Sequence, residues 1–292
     1  MSIIFEKGYL PAMIDPAFIQ RILINLEFLS IKDDDTILDC GCGIGVYTDI
    51  ISEKCNCRII GVDITVSKLF AAMEKTLNSG GNAEFVLCDA RYLPFKDQVF
   101  NKVLCTEVLE HISDDVGTLR GIRRVTKTNG TLALSVPNAN YPFFWDPLNK
   151  ILEKIKCRPI KYGFWSGVWA WHCRLYEKAT LISKMRQAGF NIQKIRHIGR
   201  IGIPFNSQLL CVIISLTGVF LGSRKPEKVS PAQTYSLSVS YPKKHYTFQV
   251  FFTSLMELIC NINQKFVFQN CSLSIAVCAR AESKGNLCAQ TS

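Results

Sequence analysis

The residues best suited to chemistry in this chain are three carboxylates, a glycine turn and a histidine. Asp39-Cys-Gly-Cys-Gly-Ile-Gly45 places an acid ahead of glycines at alternate positions. Glycine adopts positive φ readily and carries no Cβ, so such a turn lets a nucleotide-like ligand approach bare backbone. Asp63 closes the run Arg58-Ile-Ile-Gly-Val-Asp63, and Asp89 closes Ala83-Glu-Phe-Val-Leu-Cys-Asp89. An ionised carboxylate only accepts hydrogen bonds, which suits Asp63 to the two hydroxyls of a ribose and Asp89 to the exocyclic amine of an adenine. The common dinucleotide fingerprint is excluded, because its third glycine would fall where Val46 stands. His111 follows Glu110, and histidine is the side chain that exchanges a proton near neutral pH.

These residues need strands to hold them. Each carboxylate ends a short apolar run, and helical spacing follows, as in Val46–Glu53 and from Thr65 onward. Strand and helix alternate in this way up to residue 136, which implies an α/β fold with a mostly parallel sheet and helices on both faces. Three successive strands ending in Asp align three carboxylates along one sheet edge, where ligands of open α/β sheets bind. Asp15–Leu29 has helical spacing and reads as a packing helix ahead of the first strand. A chain of 292 residues suits one such domain with insertions, spanning 1–292. The opening residues lack the basic-then-apolar pattern of a secretory signal.

As a set, these motifs resemble class I S-adenosylmethionine-dependent methyltransferases, in particular the type 11 small-molecule group. The resemblance covers a core of 30–198 with a returning piece at 272–281. Asp39–Gly45 is similar to the family's first motif, Asp63 with Ile64 to its ribose-binding acid, and Asp89-Ala90 to its adenine-flanking pair. Phe100-Asn-Lys-Val-Leu-Cys-Thr-Glu-Val-Leu-Glu-His-Ile112 is similar to the fourth strand and its loop, and Gly130–Pro137 to the fifth strand. The resemblance implies S-adenosyl-L-methionine as cofactor, held by Asp39, Gly41, Cys42, Gly43, Gly45, Asp63, Ile64, Asp89, Ala90, Thr106 and Glu107. It also implies a Rossmann-like, seven-stranded sheet whose last strand, near 273–280, is antiparallel. His111 is the candidate base for a hydroxyl or acidic-carbon acceptor, against the alternative of a capping or loop histidine. The reaction does not demand a base for every acceptor, since aligning nucleophile, methyl and sulfur and excluding water does most of the work.

Two additions to the sheet are expected to set specificity. The first, 138–176, holds all four tryptophans and reads as an aromatic lid, with Tyr141, Trp145, Trp165, Trp169 and His172 as candidate acceptor contacts. Helices are expected near 148–156 and over Lys178–Ala188, and the resemblance places an acceptor-facing His and aromatic at His172 and Tyr176. The second addition, 201–270, begins with Ile201–Ser223, which contains no charged residue and is flanked by Arg200, Arg224 and Lys225. Three readings stay open for it: helices around a hydrophobic pocket, a segment resting on a bilayer, or a span. The tail 283–292 reads as disordered.

Composition narrows the partners. Thirteen cysteines, several in strands or glycine turns, suit reduced thiols in the cytoplasm rather than a disulfide scaffold. The C-x-C pairs Cys40/Cys42 and Cys55/Cys57 lack zinc spacing, so no metal is expected. A net charge of +10 suits an anionic membrane surface that the protein touches peripherally. The same charge admits a nucleic-acid or protein methyltransferase. Against nucleic acid, Thr106-Glu-Val-Leu109 replaces the Pro-Pro-aromatic turn of base-methylating relatives, and the basic residues form no single stripe. A non-catalytic cofactor-binding protein is the remaining alternative. The reading is a methyltransferase for a small, largely apolar acceptor, lipid-like or quinone-like.

Overall fold

The computed structural model describes residues 16–199 and 271–282, which form seven strands and six α-helices. In chain order these are α1 (Pro16–Leu29), β1 (Thr36–Cys40), α2 (Val46–Lys54), β2 (Arg58–Asp63), α3 (Val66–Asn78), β3 (Glu84–Leu87) and β4 (Phe100–Thr106). There follow α4 (Asp115–Val125), β5 (Thr126–Pro137), α5 (Pro147–Lys154), α6 (Lys178–Gln187), β6 (Phe190–Ile198) and β7 (Ser274–Ala281). Short 3₁₀ turns occupy Leu109–His111, Phe143–Trp145 and Gly167–Trp169. The expected segments 201–270 and 283–292 lie outside the described residues.

The strands form one mixed sheet in the order β3-β2-β1-β4-β5-β7-β6. The pairs from β3 through β5 are parallel. β7 runs antiparallel to its neighbours. Its start meets the ends of β5 and β6, through Asn138 N to Leu273 O and Leu273 N to Ile198 O. Its end meets their beginnings, through Glu282 N to Gly189 O and the Arg280 guanidinium to Asn129 O.

Two strand limits differ from the sequence reading. β3 stops at Leu87, not Asp89, because β2 ends at its partner Asp63 and Asp89 turns back onto the Arg91 amide. β5 begins at Thr126 rather than Gly130. Between Phe100↔Thr126 and Lys102↔Thr131 the register advances two residues on β4 but five on β5, so Lys127-Thr-Asn-Gly130 forms a bulge, with Asn129 at φ 62°. A bulge of that composition looks like an ordinary turn in the sequence.

The chain divides into two compact units. Among the described residues the larger holds Ile22–Val136, Tyr176–Arg196 and 275–282. Its core is the apolar face of the strands, Leu38, Val62, Val103, Leu132, Leu134, Ile275 and Val277, covered by Leu119 and Ile122 of α4 and Leu181 and Met185 of α6. Each such side chain contributes about 1.5–3 kcal/mol when withdrawn from water. α4 starts on Asp114, whose carboxylate accepts the Gly117 N–H at 2.9 Å.

Among the described residues the second unit holds 16–21, Pro137–Leu175, 197–199 and 271–274, and it includes the aromatic insert. Asp146 caps α5 with Pro147 at its first position. One buried side chain organises the insert. Asn149 accepts the Ile160 N–H at 2.7 Å and donates to Asp146 Oδ2 at 2.7 Å and to Ser166 O at 3.1 Å, while Asp146 Oδ2 also accepts Val168 N at 3.0 Å. These bonds tie the helix to the two loops after it. Asn149→Ala removes the acceptor of the part-buried Ile160 N–H and one donor each from Asp146 Oδ2 and Ser166 O, which keep Val168 N and Trp169 N, so a loss of about 1–3 kcal/mol in denaturant unfolding is expected, with faster proteolysis between 155 and 171.

Candidate active site

The sheet edge where β1, β2 and β4 end collects most of the expected residues, all within the larger unit. The glycine turn is fastened to β2 by one acceptor: the Val62 carbonyl receives both Gly41 N and Cys42 N at 2.8 Å. Gly43 N then donates to Asp63 Oδ2 at 2.9 Å, and Asp63 Oδ1 accepts Thr65 N at 2.8 Å. Asp63 therefore shapes the turn as well as standing at its mouth, and Thr65, not Asp63, is the N-cap of α3.

The turn tolerates no ordinary side chain at two of its glycines. A Cβ on Gly41 would lie 2.4 Å from a Val108 methyl, and one on Gly45 would lie 2.8 Å from the Ala72 Cβ, both at positive φ. Gly43 differs, since a Cβ there would meet nothing within 4 Å. That open side, with α2 starting on Gly45 without a side-chain cap and Ile64 largely exposed next to Asp63, forms a cradle fitted to a flat, polar ligand. The residues thus fit the adenosyl cofactor that the sequence implies.

The three carboxylates occupy different environments. Asp39 is buried, with Oδ2 accepting the Thr48 hydroxyl at 2.7 Å, and burial is the main force raising its pKa to about 7. The neighbouring Asp63 charge adds to the rise, and the Thr48 hydrogen bonds oppose it. Asp39 does not cap α2, whose first position belongs to Gly45. Asp89 is held by Arg91, whose amide, Nε and Nη2 donate to it at 2.6–3.1 Å, and these bonds keep its pKa low. Its oxygens thus already serve four contacts, and an adenine amine has to share them. Ala90 packs against the core.

At the end of β4, Thr106 is half-buried and pairs with Ser135. Glu107 donates its N–H to Ser135 O at 2.9 Å and adopts φ 54°, a left-handed conformation uncommon for glutamate. His111 lies on the following 3₁₀ turn with 44% of its side chain exposed, its Nε2 3.9 Å from Oε1 of the buried Glu110. A clamp that the sequence reading missed fixes this turn. The Tyr176 hydroxyl lies 3.3 Å from Leu109 O and 2.8 Å from Asp115 Oδ2, which Lys184 Nζ also meets at 2.6 Å. The only sequence signal was the aromatic at Tyr176, since Asp115 and Lys184 are far apart in the chain.

The insert residues fall into two groups. Tyr141 and Trp145 are buried, and the Tyr141 hydroxyl and Trp169 Nε1 both donate to Glu153 Oε1, at 3.0 and 2.7 Å. Trp165 is half exposed, and His172 is partly exposed. All ten described cysteines are free thiols; the Cys105 hydrogen bond, with burial behind it, drives the Cys40 thiol upward and burial drives Cys42 upward, so neither is a poised nucleophile. His197 Nδ1 lies 2.9 Å from Ser272 Oγ, but that serine is fully buried and also bonds Ser274 O and Asn138, which argues against a hydrolytic pair. A polar surface depression lined by Asn56, Cys57, Arg58, Asn82 and Glu84 marks the opposite, N-terminal edge of the sheet.

Comparison with known proteins bears on the family and the fold. Residues 31–192 match a family model described as a methyltransferase domain. An uncharacterised protein of Methanocaldococcus jannaschii is 31% identical over 124 residues, 42% of this chain and 50% of that protein. A ubiquinone biosynthesis O-methyltransferase of Pseudomonas fluorescens is 30% identical over 105 residues, 36% of this chain and 45% of the enzyme. The match therefore spans half or less of these relatives. The fold is shared with phosphoethanolamine N-methyltransferase 2 of Haemonchus contortus, solved with S-adenosyl-L-methionine, at TM-score 0.55 and 16% identity, covering 90% of this chain and 52% of that one.

The environment of Asp39 has a thermodynamic signature. A carboxyl whose pKa is raised from 3.8 to about 7 on folding holds its proton in the native state while the unfolded chain has released it. Stability should therefore fall as pH rises from about 4 to 7 and level off above that window. Asp39→Asn should flatten the profile, as read by urea unfolding between those pH values; an unchanged slope would remove the burial argument.

Proposed function

The chain belongs to the S-adenosylmethionine-dependent methyltransferase family, and from that premise we propose that it methylates a small, largely apolar acceptor through a protic nucleophile. The observation that carries the acceptor reading is His111, half exposed on the turn after β4 and backed by a buried carboxyl group. The aromatic insert and the likeness to an O-methyltransferase of ubiquinone biosynthesis support an apolar acceptor.

When bound, the cofactor supplies a methyl group on a cationic sulfur that departs as a neutral thioether. The chain's residues bind, orient and move a proton. The open side of Gly43 and the uncapped start of α2 receive the cofactor against bare backbone. Asp63 retains lone pairs for ribose hydroxyls after accepting two backbone N–H groups. Asp39, when ionised, offers charge to the cofactor's ammonium group, and Ile64 offers an apolar face to the adenine. Glu107 and Thr106 line the methionine end, and the left-handed backbone at Glu107 is the kind of local strain that collects at ligand sites. His111 accepts the acceptor's proton, and Glu110, 3.9 Å from its Nε2, stabilises the positive charge that the ring gains. Tyr176, Asp115 and Lys184 are positioning residues that fix the turn. In the insert, Trp165 and His172 are the candidate acceptor contacts, with Tyr141, Trp145 and Trp169 acting through packing.

Asp63→Asn removes the charge while keeping one acceptor for the turn, so affinity for S-adenosylhomocysteine by calorimetry should drop about ten- to a hundred-fold with the fold intact. Unchanged affinity would reject the ribose assignment. For the acceptor, labelled S-adenosylmethionine and a cell extract should yield label in the organic phase, and His111→Gln should cut that transfer by about a hundred-fold or more without altering S-adenosylhomocysteine binding. Label confined to macromolecules or the aqueous phase would overturn the apolar-acceptor reading.

A further inference from the structure

The second unit carries a surface that methyl transfer does not require. Phe144, Ile151, Ile155, Tyr162 and Phe164, all from the insert, are exposed, with Phe144, Ile155 and Tyr162 each more than 60% accessible. Their exposure is not the fraying of a loose loop: Ile151, Ile155, Tyr162 and Phe164 lie between residues that the Asn149 network pins, and Phe144 sits in the 3₁₀ turn just ahead of Asp146. α5, which presents Ile151 and ends on Ile155 as its C-cap one turn later, packs against the 3₁₀ turns Phe143–Trp145 and Gly167–Trp169 of the insert.

Charge on the insert is one-sided. Residues 138–175 hold Lys150, Lys154, Lys156, Arg158, Lys161 and Arg174 against only Asp146 and Glu153. Both acids are spent internally: Asp146 is buried under Asn149 and Val168, and Glu153 takes Tyr141, Trp169 and Lys150. Lys154, Lys156 and Arg158 are exposed and alternate with Ile155 and Cys157, so cations and an aliphatic side chain share one short stretch.

We propose that this insert docks the protein on an anionic lipid surface, with Phe144, Ile155 and Tyr162 entering the headgroup layer and Lys154, Lys156 and Arg158 meeting anionic headgroups. Aromatic rings with aliphatic side chains and lysines are the composition of interfacial membrane anchors. A protein interface is depleted in lysine at its centre, and single-stranded nucleic acid stacks on rings but gains nothing from exposed isoleucines. The proposal extends the apolar-acceptor reading, since such an acceptor partitions into lipid, yet it can be tested without any acceptor.

The test uses the full chain with phosphatidylcholine vesicles, with and without phosphatidylglycerol, read by co-sedimentation and by quenching from brominated acyl chains. All four tryptophans lie in the insert, so quenching reports on this surface alone. Binding and quenching should require the anionic lipid and weaken with salt. Replacing Lys154, Lys156 and Arg158 by Gln should lower partitioning by about five-fold per charge, on the order of a hundred-fold together. Phe144→Ser with Ile155→Ser should abolish quenching while S-adenosylhomocysteine affinity stays at the wild-type value, which separates docking from the cofactor reading. Absence of vesicle binding, binding that neither set of substitutions weakens, or sedimentation without quenching would each overturn the proposal.

Discussion

The double hydrogen bond at the Val62 carbonyl is the constraint from which the candidate site follows. A carbonyl oxygen has two lone pairs, and here both are committed to the successive amides of Gly41 and Cys42. The chain leaving β1 is therefore turned across the end of β2 rather than continuing outward. That placement brings Gly43 N onto Asp63 and lets α2 begin at Gly45, packed against Ala72 of α3. Buried backbone groups must find partners, so the bonding of the turn and the geometry of the site are one arrangement.

The three carboxylates show how one residue type acquires three roles from its surroundings. Asp39 sits in the interior, where losing its charge is favoured until about neutral pH. Asp63 is half-buried and oriented by two backbone donors. Asp89 is matched to a guanidinium and stays ionised. Moving along the edge from β1 to β3 therefore passes from a charge withheld to a charge neutralised by a partner. A ligand with a cationic end and a polar heterocycle meets a graded surface rather than three equivalent acids.

Much of this edge was legible in the sequence because its signals are local. Strand, glycine turn and helix follow one another within ten residues at Asp39–Gly45, and each carboxylate ends its own apolar run. The β5 bulge was not legible, because Lys127–Gly130 has the composition of a turn and only pairing with β4 reveals it as part of the strand. Nor was the hold of Arg91 on Asp89, since Asp-Ala-Arg gives no hint of which partner the carboxylate will choose. The Tyr176–Asp115–Lys184 clamp joins residues more than sixty positions apart, and no periodicity encodes such a meeting. In the insert, rings with the same sequence character divided between buried Trp145 and exposed Phe144, a difference set by tertiary packing alone.

The place of β7 in the sheet has a consequence for synthesis. Among the described residues β6 lies at the margin of the sheet beside β7 alone, yet the chain makes β6 by residue 198 and does not begin β7 until residue 274. At about 5–20 residues per second, several seconds separate their emergence from the ribosome. The five parallel strands can assemble during that interval, while among the described strands β6 has no neighbour to pair with and β5 has one open edge. The nascent protein thus passes through a stage in which the edge of the glycine turn is formed but its sheet remains open, a period when chaperone occupancy would matter most.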